Sequence, residues 1–135
     1  MSVAFDPSRF TVLLADANDP WRNIVDGLLT PMGVKTVSVR TGRDALSMIE
    51  QKQVHVAVLD VDMPGMGGMQ VVKRMQQLNA APPAILLARQ VSAQLMHEAL
   101  GMRVFSVLGK PVDFNLLLDS LARVMRRHYE GRWPA

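Results

Sequence analysis

The fold of this chain is decided by the stretch Val54-His55-Val56-Ala57-Val58-Leu59-Asp60-Val61-Asp62-Met63-Pro64-Gly65-Met66-Gly67-Gly68. A short run of aliphatic residues ends there on a carboxylate, and a loop rich in proline and glycine follows. Because such runs form strands that are buried on both faces, the stretch predicts a parallel sheet covered by helices. Ligands of such sheets bind at the carboxyl ends of the strands, so Asp60 is the first candidate for function.

Strand-like and helix-like segments alternate five times along the whole chain. The predicted strands cover residues 10–15, 34–39, 54–59, 84–87 and 104–108. The predicted helices cover residues 19–29, 41–51, 68–78, 92–100 and a last segment after Pro111. Strands that alternate with helices of this length form right-handed βαβ crossovers. The sequence therefore predicts an α/β, doubly wound (βα)5 fold with five parallel strands and helices on both faces of the sheet.

The composition is that of one ordinary domain. The chain has 135 residues, of which 49% are hydrophobic, enough to build a core without disulfides. We expect the domain to span residues 10–128, with a loose N-terminal extension at 1–9 and a loose C-terminal tail at 129–135. The absence of cysteine excludes disulfides and thiolate metal sites. No apolar run approaches the roughly 18 residues of a membrane span, so we expect a cytoplasmic protein without a membrane partner.

Basic residues are concentrated near the C-terminus, although the net charge is only +3. The basic residues there could contact nucleic acid or an acidic partner; they are Arg123, Arg126, Arg127 and Arg132. We interpret them instead as the solvated face and last turn of a helix, where cations interact favourably with the helix dipole. The sequence therefore predicts no nucleic-acid partner.

Three charged residues follow predicted strands at the same edge of the sheet. Asp16 follows the first strand, Asp60 ends the third, and Lys110 follows the fifth. Because these strand ends are neighbours in a doubly wound sheet, we expect two carboxylates and an ammonium group in one cleft. Mg²⁺ prefers oxygen ligands and typically binds one or two carboxylates together with water and phosphate oxygens. The cleft therefore predicts a magnesium site.

The chain resembles the receiver domains of response regulators over about residues 10–125. The resemblance rests on Val12-Leu13-Leu14-Ala15-Asp16, Thr41-Gly42-Arg43-Asp44-Ala45-Leu46, Leu59-Asp60-Val61-Asp62-Met63-Pro64-Gly65-Met66 and Gly109-Lys110-Pro111. It implies a flavodoxin-like receiver fold and a role in two-component or phosphorelay signal transduction, not an enzyme. It also implies that Asp60 accepts a phosphoryl group from a histidine kinase or a phosphotransfer protein, with Lys110 binding the phosphoryl oxygens.

The same resemblance implies the ligands of the magnesium ion. They would be the carboxylates of Asp16 and Asp60 and the backbone carbonyl of Asp62. It further implies a cis peptide bond between Lys110 and Pro111.

Five positions of this chain depart from the family's pattern. Ala17 stands where family members usually carry a second acid, Gly67 replaces the acid expected before Gly68, and Val107 stands at the position of the switch aromatic. Ala88 and Arg89 replace a Thr or Ser and the small residue after it. These departures remove a metal ligand, a hydroxyl that binds the phosphoryl group, and the aromatic that reports phosphorylation.

Two hypotheses for this altered cleft stay open. In one, the side chain of Asp62 or Asp19 partly replaces the missing acid, and Asp60 is still phosphorylated with weakened magnesium binding. Asp62 is the better candidate, because Asp19 before Pro20 is predicted to cap the first helix. In the other, the Arg89 guanidinium pairs with Asp60 or Asp16 and takes the place of the metal.

A second class of function is a phosphorylation-independent pseudo-receiver that serves as a protein-interaction module. In either class, we expect a downstream protein to dock on the fourth helix, fifth strand and fifth helix. Met96, Met102 and Phe105 would lie on that surface. Trp21 should lie beside the cleft at the start of the first helix, where its fluorescence would report magnesium binding.

Overall fold

A computed structural model describes residues 10–129, which contain five strands and five α-helices. The strands are β1 (Thr11–Ala15), β2 (Lys35–Val39), β3 (Val56–Asp60), β4 (Ala84–Ala88) and β5 (Ser106–Gly109). The helices are α1 (Asp19–Leu29), α2 (Gly42–Glu50), α3 (Gly68–Met75), α4 (Ala93–Gly101) and α5 (Phe114–His128), with a 3-10 turn at Thr30–Met32 after α1. All neighbouring strands pair in parallel, in the order β2-β1-β3-β4-β5. The predicted doubly wound (βα)5 fold is confirmed.

Alternation along the strands divides the core between the two faces of the sheet. Val12 and Leu14 of β1 face α1 and α5, whereas Leu13 and Ala15 face α2 and α3. Every residue of β3 and β4 is buried, because these central strands are covered on both sides. The order of the strands reverses between β1 and β3, so the carboxyl ends of these two strands flank the cleft that such a reversal opens.

Side-chain caps fix where four of the helices begin. Thr41 accepts a hydrogen bond from the Asp44 amide, and Ser92 accepts one from the Leu95 amide, at 3.1 and 3.0 Å. Asp113 caps α5 in the same way. The prediction that Asp19 caps α1 is wrong: the Asn18 carboxamide accepts the hydrogen bond from the Trp21 amide. Asn and Asp cap helices about equally well, so the sequence did not distinguish these adjacent residues.

The glycines after β3 let the loop pack closely. Gly65 adopts a φ of 75°, a left-handed conformation that glycine enters without strain. Gly67 has an ordinary extended backbone, but a Cβ there would collide with the carbonyl oxygen of Val61. A Cβ at Gly68 would lie 2.9 Å from the carbonyl oxygen of Asp60. The loop is thus held against the end of the strand that carries Asp60.

The C-terminal end of α5 is attached to the sheet at the amino ends of the strands, close to the start of β3. The Tyr129 hydroxyl donates a hydrogen bond to the His55 carbonyl oxygen at 2.6 Å. Tyr129 was predicted to begin the loose tail, but this contact makes it part of the packed domain. Residues 1–9 and 130–135, the remaining predicted extensions, lie outside the described residues. Between residues 10 and 129, no helix combines the length and apolar character needed to cross a bilayer.

Candidate functional site

The sheet brings Asp16, Asp60 and Lys110 together at its carboxyl edge. Asp60 is the last residue of β3, and Asp16 and Lys110 directly follow β1 and β5. Backbone hydrogen bonds continue past the strand ends, from the Asp16 amide to Val39 at 3.2 Å and from the Lys110 amide to Ala88 at 2.8 Å. The peptide bond between Lys110 and Pro111 is cis, as the resemblance implied. The predicted convergence of two carboxylates and an ammonium group is confirmed.

Lys110 forms ion pairs with both carboxylates. Its Nζ lies 2.9 Å from Asp16 Oδ2 and 3.1 Å from Asp60 Oδ2. The two carboxylate side chains are only 3% and 6% exposed, and the lysine side chain is 20% exposed. Partial burial lowers the pKa of Lys110, but the two carboxylates outweigh that effect and raise it above its ordinary value. The ammonium therefore stays charged and offsets the repulsion between the aspartates.

Backbone amides orient the same two carboxylates. Asp60 Oδ1 accepts a hydrogen bond from the Asp62 amide at 3.0 Å, and Asp16 Oδ1 accepts one from the Asn18 amide at 2.9 Å. Each aspartate thus binds the amide two residues further on and presents its other oxygen to Lys110. Asn18 also caps α1, so the start of this helix is tied to the carboxylate of Asp16. Sequence analysis missed this role of Asn18; the polar residue before Asp19-Pro20 was the available signal.

The carboxylate oxygens at this cleft are suitable ligands for a hard divalent cation. Asp16 Oδ2 is buried, and the Lys110 ammonium at 2.9 Å is its partner among the described residues. Two buried carboxylates side by side match the small number of protein ligands that Mg²⁺ uses. The Asp62 side chain is exposed, and within residues 10–129 no three acidic or histidine side chains are arranged to hold a metal. Asp19 instead pairs with Arg22 and Arg40.

A cavity of about 500 Å³ opens beside Asp16 and Lys110. Its remaining lining residues are Asn18, Trp21, Arg89, Pro111, Val112 and Phe114. Trp21 therefore lies next to the cleft, as predicted. The hypothesis that Arg89 pairs with Asp16 or Asp60 is wrong: Arg89 is exposed and makes no ion pair with any described residue. Lys110 already pairs with both carboxylates, and the guanidinium is exposed to solvent.

The other departures from the family's pattern also have clear positions. Ala17 is exposed beside Asp16, and Ala88 is buried at the end of β4, where it supplies only a methyl group. Val107 is half-buried and packs against the core beneath α4. Phe105 is covered by the guanidinium groups of Arg123 and Arg127, which lie 5.9 and 5.7 Å from the centre of its ring. No hydroxyl therefore stands at the end of β4, and no aromatic ring stands at position 107.

Comparison with known proteins assigns the family. A family model for the response regulator receiver domain matches residues 12–122. The chain belongs to this family. It is therefore a signalling domain of the kind used in two-component systems, and receiver domains generally bind Mg²⁺ at an acidic pocket such as this one.

The relatives of this receiver domain include both response regulators and sensor kinases. It is 27% identical over 117 residues to the transcriptional regulatory protein ZraR of Salmonella typhimurium, a match that covers 87% of this chain and 26% of ZraR. It is 24% identical over 127 residues to the sensor histidine kinase RcsC of Escherichia coli, covering 94% of this chain and 13% of RcsC. The receiver domain thus spans about a quarter or less of the curated relatives that it matches.

Solved structures agree with this assignment. The chemotaxis protein CheY4 of Vibrio cholerae is 30% identical, with a TM-score of 0.76, and the match covers 85% of this chain and 98% of CheY4. The signal receiver domain of an HD domain-containing protein from Pseudomonas fluorescens has a TM-score of 0.83 at 23% identity, covering 96% of each chain. The second likeness supports the fold alone, whereas the first supports the family as well.

Proposed function

We propose that this receiver domain accepts a phosphoryl group on Asp60, and that Lys110 binds the phosphoryl oxygens. The observation that carries the proposal is the position of the Lys110 ammonium between the buried carboxylates of Asp16 and Asp60. A carboxylate is a competent nucleophile toward phosphorus, and phosphoryl transfer depends mainly on positioning and on neutralising charge. Lys110 supplies one such charge in a partly desolvated cleft.

The reaction follows from this arrangement. A carboxylate oxygen of Asp60 forms a bond to the donor's phosphorus, and the bond from phosphorus to the donor's leaving atom breaks, with its electron pair going to the leaving group. The product is an acyl phosphate on Asp60. The hydrogen bond from the Asp62 amide to Asp60 Oδ1 holds the nucleophile in place. We propose that the domain acts as a phosphoacceptor in this way and not as an enzyme acting on a separate substrate.

Magnesium is part of the proposal. Asp16 and Asp60 would hold the ion with their carboxylates, and Asp62 with its backbone carbonyl. When bound, it would neutralise negative charge on the transferred phosphoryl group. Because Ala17 offers no carboxylate, we expect binding to be weak.

The metal site can be tested through Trp21, which lines the same cavity as Asp16. We expect the fluorescence of Trp21 to change on titration with magnesium, in a Trp133→Phe background that removes the second tryptophan. Asp16→Asn should abolish the change, whereas Asp44→Asn at the exposed start of α2 should preserve it. A flat titration of the parent protein would contradict the metal site.

The partners proposed for this domain follow from its relatives. ZraR is named as a transcriptional regulator and RcsC as a sensor histidine kinase. We propose a histidine kinase or a phosphotransfer protein as donor, and a downstream protein that docks on α4, β5 and α5, in the cytoplasm. The pseudo-receiver alternative is not favoured, because the chain matches the family model and keeps both Asp60 and Lys110 in a formed cleft.

Intact mass measurement tests the phosphoacceptor directly. The protein is incubated with acetyl phosphate and magnesium and weighed beside Asp60→Asn and Asp44→Asn. We expect the mass of one added phosphoryl group on the wild type and on Asp44→Asn, and none on Asp60→Asn. Asp44→Asn is a matched control because its carboxylate is exposed at the start of α2 and has no role in the cleft. Absence of added mass on the wild type, or its presence on Asp60→Asn, would refute the proposal.

A further inference from the structure

Arg89 occupies a place at the cleft that corresponds to that of Lys110 on the next strand. Ala88 and Gly109 are partners in the pairing of β4 with β5, so Arg89 and Lys110 are the residues that directly follow this pair. Arg89 comes two positions after Leu87, and Lys110 two positions after Leu108, and both leucines pack on the side of α1 and α5. The fold therefore places two cations, Arg89 and Lys110, at the ends of the adjacent strands β4 and β5.

Arg89 also differs from Lys110 in that its charge is not paired with a carboxylate of the described residues. It lines the same cavity as Asp16 and Lys110, yet it forms no ion pair with residues 10–129. Its side chain is exposed, whereas that of Lys110 is 20% exposed and already shared between two carboxylates. A planar guanidinium offers paired N–H donors whose spacing matches two oxygens of a phosphoryl group.

Phosphorylation would change the charge balance of the cleft. Two carboxylates and one ammonium sum to a single negative charge. When the Asp60 carboxylate becomes an acyl phosphate, its one negative charge is replaced by close to two on the phosphoryl group, which also brings three acceptor oxygens. Neither Ala17 nor Ala88 can donate a side-chain hydrogen bond to those oxygens. A second cation near the phosphoryl group would return the cleft to the single negative charge that it has before phosphorylation, and Arg89 is placed to supply it.

We propose that Arg89 is a second phosphoryl-binding residue, whose guanidinium binds the oxygens of the phosphoryl group on Asp60 and reduces the dependence of this state on magnesium. The inference rests on the proposed function. The ligand class is a tetrahedral oxyanion. Before phosphorylation the guanidinium stays hydrated, because Lys110 alone pairs with the aspartates.

The first experiment measures anion binding without any covalent step. Inorganic phosphate is titrated at low ionic strength into the magnesium-free Trp133→Phe protein while the fluorescence of Trp21 is followed. We expect Arg89→Ala to weaken phosphate binding by about tenfold or more, the effect of losing a charge-assisted hydrogen bond. Arg89→Lys should retain part of the affinity, since it keeps the charge but loses the paired donors. Arg74→Ala, an exposed arginine on α3, serves as the matched control and should not change binding.

The second experiment measures the phosphorylated state. Wild type, Arg89→Ala and Arg74→Ala are loaded with acetyl phosphate, and the extent of Asp60 phosphorylation is measured by intact mass as magnesium is reduced. We expect the magnesium concentration for half-maximal phosphorylation to rise several-fold in Arg89→Ala alone. Because Arg89 is exposed, its substitution should leave the melting temperature unchanged.

The outcomes separate this inference from the function on which it rests. If the wild type binds no phosphate, or if Arg89→Ala matches Arg74→Ala in both experiments, Arg89 is not a phosphoryl-binding residue, even when Asp60 is phosphorylated. If phosphate binding depends on Arg89 but no wild-type mass is added, the cleft binds oxyanions and the phosphoacceptor proposal fails. Loss of phosphate affinity in Arg89→Ala, together with a higher magnesium requirement for its phosphorylation, supports both the role of Arg89 and the phosphoacceptor proposal.

Discussion

At the level of single residues, the site is organised by one lysine shared between two buried aspartates. Asp16 and Asp60 would repel each other across the end of the sheet if no cation lay between them. Lys110 contacts both, and each aspartate is also held by the amide two residues further on. The proposed nucleophile Asp60, its neighbour Asp16 and the Lys110 ammonium are therefore held in place without a bound phosphoryl group.

Replacement of this lysine should reveal how much the ion pairs stabilise the fold. We expect Lys110→Met to lower the free energy of unfolding at pH 7 by about 3 kcal/mol, the lower end of the range for breaking a buried pair. The raised pKa of Lys110 also predicts a dependence on pH. The stabilisation is complete below the pKa of an unfolded lysine, about 10.4, and is lost as the pH rises through the higher pKa of the folded state.

Urea denaturation of wild type and Lys110→Met between pH 7 and pH 11.5 measures both effects. The difference between the two proteins should be largest near neutral pH and shrink at the alkaline end. Burial also raises the pKa of Tyr129, but this residue is present in both proteins and its effect cancels in the difference. A difference that stays constant across this range would show that the charge of Lys110 is not what stabilises the fold.

At the level of helices, strands and loops, short-range signals explain most boundaries. Runs of aliphatic residues became β1, β3 and β4, and caps at Thr41, Ser92 and Asp113 begin three of the helices. The cap of the first helix lies one residue earlier than predicted, because Asn18 and not Asp19 accepts the hydrogen bond from the Trp21 amide. Local hydrogen bonding thus sets the helix starts, and only the geometry distinguished two adjacent capping candidates.

Asn18→Ala should destabilise the domain by about 1 kcal/mol, because the Trp21 amide loses its acceptor at the start of α1. Asn18→Ser retains a capping oxygen and should recover most of this loss. Asp19→Asn, which weakens only half-exposed ion pairs, should cost less than about 1 kcal/mol. Thermal denaturation of the three variants checks the order. A larger effect at Asp19 than at Asn18 would contradict the assigned cap.

We expect substitution by alanine to have opposite effects on stability at two glycines, one in the loop after β3 and one in α1. Gly67→Ala should cost about 1–3 kcal/mol, since the new methyl group collides with the Val61 carbonyl oxygen and the backbone must shift. Gly27→Ala on the exposed face of α1 meets no atom within 4 Å and should stabilise the domain by about 0.5–1 kcal/mol. Urea denaturation curves distinguish the two signs. Equal effects would show that the loop relaxes without cost.

Across the whole molecule, α5 runs from the carboxyl ends of the strands to their amino ends. Its N-terminal cap follows the Lys110-Pro111 turn at the carboxyl ends of the strands, and its C-terminal end lies at the amino ends of the strands. There Tyr129 packs edge-on against the rings of Phe10 and His55, 5.8 and 5.3 Å away between ring centres. The helix therefore contributes to the core along its full length.

Tyr129→Phe should lower the free energy of unfolding by about 0.5–1.5 kcal/mol, because the His55 carbonyl loses a hydrogen bond while the ring packing stays intact. Tyr129→Ala should cost more, since it also removes the aromatic contacts. Denaturant titrations compare both with wild type. Equal stability of Tyr129→Phe and wild type would mean that this hydrogen bond adds nothing beyond ring packing.

The amino-acid sequence was sufficient for the fold class, the order of the elements and the edge at which Asp16, Asp60 and Lys110 meet. These depend on burial patterns within single segments and on the rule that parallel strands end on the same side. The tertiary structure was needed to show that Lys110 and not Arg89 pairs with both aspartates. It was also needed to show that Tyr129 is attached to the sheet through His55. Such contacts join segments far apart in the chain, and they depend on distances, desolvation and competing donors that no local pattern encodes.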